Sequence, residues 1–268
     1  MVNEQRGKLL MKKIISAFII LAFIAPVYAK TIEGAVSEKG GGNSHRIIDK
    51  STGKGVGGAK ITLPKENYMT KTNKDGFFEL NTAIEGTSIM SVQKDKYKPF
   101  SMTINEKTFN KPLEVSIEKS DGNALAIDMN MHHLGDNSYS ENSANAGEFV
   151  GDATGPFFTK KFNLKNINTS SPVYLVIGTI IGIDTLMART MNQNRRPNAY
   201  ATAPQIFFNG NKIADIQING DGQKIKIPAN LIRKNQINEV TIKTGYNVMQ
   251  TSYTDYDDIE FMNLSIEN

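Results

Sequence analysis

The chain has 268 residues, more than one small β domain needs, and its hydrophobic fraction of 39% is enough to build buried cores over most of its length. Its formal charge of +4 collects at the start, where Arg6, Lys8, Lys12 and Lys13 face only Glu4. The remainder is nearly neutral, which excludes an electrostatic footprint for nucleic acid, and the absence of cysteine excludes disulfides and a cysteine lipid anchor.

Lys12-Lys13 precede an apolar run from Ile14 to Val27, and Val27-Tyr28-Ala29 has the form of a small-x-Ala cleavage site. Residues 1–29 therefore read as a secretory signal peptide, with Met11 as an alternative start. The run is shorter than the roughly 20 residues a spanning helix needs. The mature chain is expected outside the cytoplasm of a bacterium: periplasmic, extracellular or on the cell surface. Membrane contact is expected only through the leader before cleavage.

From Lys30 to about Ser120 the pattern is short strands and turns. Ala59 to Leu63 alternates and stops at Pro64; Lys74-Asp75-Gly76 is a turn leading directly into Phe77-Phe78-Glu79-Leu80. Ile89 to Val92, Phe100 to Ile104 and Leu113 to Ile117 continue it. The expectation is a small antiparallel sandwich over residues 30–120. The polar stretch from Gly40-Gly41-Gly42 to Ser51 reads as a long loop. Gly53, Gly55 and Gly58 satisfy a dinucleotide-binding spacing, but β-branched alternation follows where that motif needs a helix, so they are turn residues.

Gly55-Val56-Gly57-Gly58-Ala59-Lys60-Ile61-Thr62-Leu63, followed by Lys71-Thr72-Asn73-Lys74-Asp75-Gly76-Phe77-Phe78, resembles the carboxypeptidase regulatory-like domain. The resemblance implies a transthyretin-like sandwich and a non-catalytic accessory of a secreted protein.

Ser120-Asp121-Gly122-Asn123 marks a boundary, and residues 121–268 again read as strands. Ala124 to Met131 is a strand, followed by a polar loop that opens with His132-His133. Phe157 to Leu164 is a second strand, and Val173 to Ile183 is apolar enough to be a central one. Ala188 to Ala203 reads as a long surface loop. Gln205 to Phe208, Asn209-Gly210 and Lys212 to Ile218 form a hairpin. Lys224 to Ile227, Ile237 to Lys243 and a last strand from Ile259 to Ile266 complete the set. Apolar residues at 259 and 261, then at 264 and 266, require a bulge near Met262-Asn263, with one face expected to be buried.

Ile206-Phe207-Phe208-Asn209-Gly210 with Ile213, Ile225 to Ile232, Asn235 to Ile242 and Asp257-Asp258-Ile259-Glu260-Phe261 together resemble the galactose-binding-like jelly roll of carbohydrate-binding modules. The fold class expected is all-β: two β-sandwiches, the second a jelly roll, behind a signal peptide. The resemblance speaks to fold more than to ligand. It implies a non-catalytic binding protein for carbohydrate or another cell-surface polymer. The alternatives are an adhesive protein that contacts other proteins and, third, a glycan-active enzyme. No Gly-x-Ser-x-Gly elbow and no helical His pair supports the enzyme, so no catalytic residue is assigned.

Asp136, Tyr139, Arg195, Arg196, Tyr246, Tyr253 and Tyr256 are the candidate ligand contacts. Tyr offers an apolar face with a polar tip, and Arg pairs with acidic or hydroxyl groups. The lack of any Trp counts against a sugar platform. Asp255, Asp257 and Asp258 supply hard oxygens, and calcium takes six to eight of them, so Glu148, Glu141 or Asp136 would have to help. The jelly-roll resemblance allows a structural calcium there; the alternative is a solvated turn whose acids accept from backbone amides. His132 and His133 point to opposite faces if they lie on a strand, which prevents a shared metal.

Overall fold

The computed structural model describes residues 44–138, 149, 151–165, 168, 170–194 and 199–268. Residues 1–29, Gly40-Gly41-Gly42, Tyr139, Glu141, Glu148, Arg195 and Arg196 lie outside the described residues. The protein is all-β.

Seven strands come first: β1 (His45–Asp49), β2 (Lys60–Leu63), β3 (Tyr68–Lys71), β4 (Phe77–Phe78), β5 (Ser88–Gln93), β6 (Phe100–Ile104) and β7 (Glu114–Ile117). They form two sheets, β3-β2-β5-β6 and β4-β1-β7. Ile47, Ile61, Leu63, Phe78, Met90, Val92, Ile104, Val115 and Ile117 close a core between them.

Two expectations are corrected here. The stretch reaching Ser51 is not all loop, because β1 lies in it with His45, Ile47 and Asp49 buried. Its polar residues are inside because they are satisfied there. His45 Nδ1 accepts from Leu113 N at 3.2 Å, and the Asp49 carboxylate accepts from Ser51 N, Thr52 N and the Tyr97 hydroxyl. The sandwich is also not wholly antiparallel, since β1 runs parallel to β7.

The second set is β8 (Ala124–Leu134), β9 (Phe157–Asn163), β10 (Val173–Ile181), a short helix α1 (Leu186–Thr190), β11 (Gln205–Phe208), β12 (Asn211–Asp215), β13 (Gly220–Ile227), β14 (Ile237–Lys243) and β15 (Ile259–Glu267). Its sheets are β13-β10-β15-β8 and β12-β11-β14-β9, packed over Leu175, Ile177, Phe208, Val240, Ile242, Phe261 and Leu264. Helix α1 runs into the loop expected from Ala188 and is capped by the Thr185 side chain accepting from Ala188 N at 3.1 Å. Strand β8 runs on through both histidines rather than stopping at Met131, because each ring finds an acidic partner.

All nine residues of β15 are buried, where one buried face was expected. Ile259, Phe261, Leu264 and Ile266 point into the second core. The other face is covered by the first sandwich: Met262 packs with Ile89, and Asn263 Nδ2 donates to Ser91 Oγ at 3.0 Å and to Phe100 O at 2.9 Å. The bulge falls where the phase slip placed it, with Asn263 at φ 60°. Gly178 on the neighbouring β10 keeps the sheets close, since a Cβ there would lie 2.5 Å from Ser101 Oγ and 2.7 Å from Asn263 Cβ. Thr179 Oγ1 donates to Ser101 Oγ at 2.9 Å, and Thr103 donates through N and Oγ1 to Asp221.

Asn263→Gly keeps the left-handed backbone accessible and deletes both side-chain bonds. It is expected to lower stability in urea unfolding by about 2 kcal/mol, the cost of stranding buried partners. A loss too small to measure would show that the seam does not depend on them.

Candidate functional site

The second sandwich gathers a loop cluster where β15 begins. Residues 244–258 double back on themselves: Tyr246 bridges Tyr256, and Asn247 N donates to Asp255 O at 2.8 Å. Thr202 N donates to Tyr246 O at 2.9 Å and Val248 N to Tyr200 O at 2.7 Å, which fastens this loop to the segment after α1. The Arg189 guanidinium of α1 lies 4.2 Å from the centre of the Tyr200 ring. Asp136 reaches the same place from the end of β8, its Oδ2 accepting from Tyr256 N at 2.8 Å. Asp136, Tyr246, Tyr256 and the three acids are therefore brought together, with Tyr253 on the outer part of the same loop.

The acids are not solvated. Asp255, Asp257 and Asp258 are each buried to 1% exposure or less. One oxygen of each is engaged: Asp255 Oδ2 accepts from Asn247 Nδ2 at 3.1 Å, Asp257 Oδ2 from Asp184 N at 3.2 Å, and Asp258 Oδ1 lies 2.8 Å from His133 Nε2, while Asp257 Oδ1 and Asp258 Oδ2 are buried without a hydrogen bond. Among the described residues no group of three or more His, Asp or Glu side chains is disposed to hold a metal ion. Asp255, Asp257 and Asp258 are not such a group, and Glu148, which the calcium expectation also names, lies outside the described residues. Burial pushes Asp257 well above the usual carboxylate range, reinforced by Asp184, Asp258 and Asp255 nearby.

Both nitrogens of His133 face oxygens, Asp258 Oδ1 and the Gly151 carbonyl, an arrangement that favours the protonated ring. Burial alone would lower its pKa; the bonds to Asp258 and Gly151 and the charges of Asp258 and Glu260 outweigh it and raise it. His132 turns the other way, its Nε2 3.1 Å from Asp128 Oδ1 and its ring against Phe158 and Phe261. The opposite-face expectation holds.

Opposite His133 in the β8–β15 register is Glu260, fully buried with neither carboxylate oxygen hydrogen-bonded. Lys65 and Glu66 face it from the turn after β2. Burial pushes its pKa up to about 7, against 4.5 ordinarily. A folded-state pKa above the unfolded one means that stability is fully present below pH 4.5 and is lost as pH rises towards 7. Glu260→Gln is therefore expected to stabilise the protein at pH 8 by up to roughly 3 kcal/mol and to change little at pH 4. Thermal melts at the two pH values check this, and an equal effect at both would overturn it.

The outer surface of the cluster is apolar and aromatic. Tyr246 and Tyr253 are about half exposed at 48% and 50%, and Tyr256 is half-buried. Val248 and Met249 on the loop, with Leu186, Met187 and Met191 on and beside α1, are exposed large side chains. The α1 group gave no sequence signal, because it is embedded in a polar stretch without helical period.

Two grooves run along the junction of the sandwiches. One, of about 520 Å³, contains compensated charges: Lys98 pairs with Glu118 and Glu267, Lys50 with Glu118, and Lys224 with Glu267. The other, of about 620 Å³, is lined by Lys60, Lys71, Lys94 and Lys96 over Ala124, Ala126 and Met129. The β2–β3 register brings Lys60 beside Lys71, and the turn closed by Tyr97 N to Lys94 O adds Lys94 and Lys96.

No protein family and no curated protein matches the chain. Both family resemblances rest on the residues quoted for them. Several solved structures match. One is a Bacteroides uniformis protein called a "putative carbohydrate binding protein", aligned over 82% of this chain and 97% of that one at 10% identity with a TM-score of 0.21. A likeness that low carries no argument here.

Proposed function

We propose that the chain is an exported, non-catalytic protein that binds carbohydrate or another cell-surface polymer through the loop cluster at the entrance to β15. The observation that carries this reading is the pair of half-exposed tyrosines, Tyr246 and Tyr253, on a loop whose base is tied down by buried hydrogen bonds. A rigid base with aromatic faces above it binds sugar rings at low ordering cost, since Tyr presents an apolar face and a polar tip. Export is supported by the leader pattern of residues 1–29, and the absence of catalysis by the lack of a nucleophile motif. The division at residues 120/121, a regulatory-like sandwich followed by a galactose-binding-like one, belongs to the same proposal. It is supported by the sheets, none of which takes strands from both sides of that point.

A second reading is contact with another protein. Leu186, Met187, Met191 and Met249 favour it, because exposed aliphatic side chains suit a protein surface better than a sugar. A glycan array with the purified chain separates the two. Retention of one glycan class, weakened about tenfold by Tyr246→Ala or Tyr253→Ala, is the expected result. Retention of none would end the carbohydrate reading and leave the protein contact.

A further inference from the structure

We propose that the lysine-lined groove between the sandwiches is a separate binding site for a polyanionic glycan, a polysaccharide bearing carboxylate or sulfate groups. It lies among different residues from the tyrosine loop and does not depend on that reading.

The charges in the groove are uncompensated. Lys60, Lys71, Lys94 and Lys96 line it with one carboxylate, Asp95. None of the four forms an ion pair among the described residues, in contrast to the second groove, where Lys50, Lys98 and Lys224 are all paired. Beyond the leader the chain is nearly neutral, so the groove is a local concentration of positive charge rather than a sample of a basic surface.

The arrangement also works against stability. Lys60 stands directly opposite Lys71 in the β2–β3 register, and like charges in that position repel. Lys96 occupies φ 68° in the turn closed by Tyr97 N to Lys94 O, a position that Gly or Asn fills at less cost. The Lys94 ammonium projects over Gly58, where a Cβ would lie only 3.3 Å from it. An anion held between these ammonium groups would relieve their repulsion.

The floor decides what kind of anion fits. Gly122, Ala124 and Ala126 are small, and Ser120 and Gln93 add polar groups. The cleft is therefore smooth and open, suited to a polar chain, with a volume of about 620 Å³ that falls within the range of ligand clefts. A nucleic acid would need a stacking platform. The aromatic residue of the groove, Tyr97, has its hydroxyl donated to Asp49 at 2.8 Å, which ties the ring to the first sandwich.

Calorimetric titration at low salt tests the site, with polygalacturonate, dextran sulfate, neutral dextran and single-stranded DNA as probes. The anionic polysaccharides are expected to bind and dextran not to. Lys71→Gln, Lys94→Gln and Lys96→Gln combined should weaken binding about tenfold while thermal melts show the fold intact. Lys107→Gln, Lys165→Gln and Lys234→Gln combined, or Tyr246→Ala with Tyr253→Ala, should leave it unchanged. Binding of only one of the two anionic polymers supports the site and identifies the anion. Binding of neither, equal weakening by the control lysines or the tyrosine pair, or DNA binding as tight as polysaccharide would overturn the proposal.

Discussion

A strand with no solvent face organises this molecule. β15 lies between β10 and β8 in its own sheet, fills the second core from one side and lies against the first sandwich on the other. A strand covered on both faces must place polar residues inside, and each of these needs a partner or carries a cost. Asn263 is satisfied across the seam by Ser91 and the Phe100 carbonyl, Ser265 by Glu267 on the same strand, and Glu267 further by Lys98. Glu260 is the exception: both its carboxylate oxygens are buried without a hydrogen bond. The junction thus joins an apolar cluster around Ile89 and Met262 with polar contacts of defined geometry.

The site inherits its rigidity from that strand. Its entrance carries Asp257 and Asp258 into the interior, where Asp258 meets the His133 ring and Asp257 meets the Asp184 amide. One oxygen of each acid holds the loops, and Asp257 Oδ1 and Asp258 Oδ2 stay buried without a hydrogen bond. The surface left for a ligand is what stands above them: Tyr246 and Tyr253 on the loop, and the apolar side chains beside α1. Acid-rich sequence and acid-rich surface are different things here, and the lysine groove between the sandwiches shows the same distinction with the opposite sign.

Much of the fold could be read from alternation. Strands β2, β5, β6, β7, β9, β10, β11, β14 and β15 fall on segments where apolar and polar residues alternate or where β-branched residues run together. Strand β1 could not be read this way, because His45 and Asp49 are polar residues made internal by partners at Leu113 and Tyr97, remote in sequence. Helix α1 was hidden for a different reason: five residues are too few to show a period. Of the candidate contacts, Tyr246 and Tyr256 converge through a backbone bridge and Asp136 joins them through its carboxylate, and no local pattern encodes such contacts.

The chain's own residues decide the all-β class, the turns at Asp75-Gly76 and Asn209-Gly210, and the bulge at Asn263, because each depends on the preferences of neighbouring residues. Tertiary structure decided which acids see water. Asp255, Asp257, Asp258 and Glu260 are hydrophilic by type, yet the packing of one sandwich against loops and the other sandwich buries all four. It also decided which lysines stand together, since Lys60 and Lys71 become neighbours only through strand register and Lys94 and Lys96 only through a turn beside them. Side-chain chemistry is local, whereas exposure and proximity belong to the whole fold. Hence the last strand was recognisable from sequence as a core strand, while its burial on both faces was not.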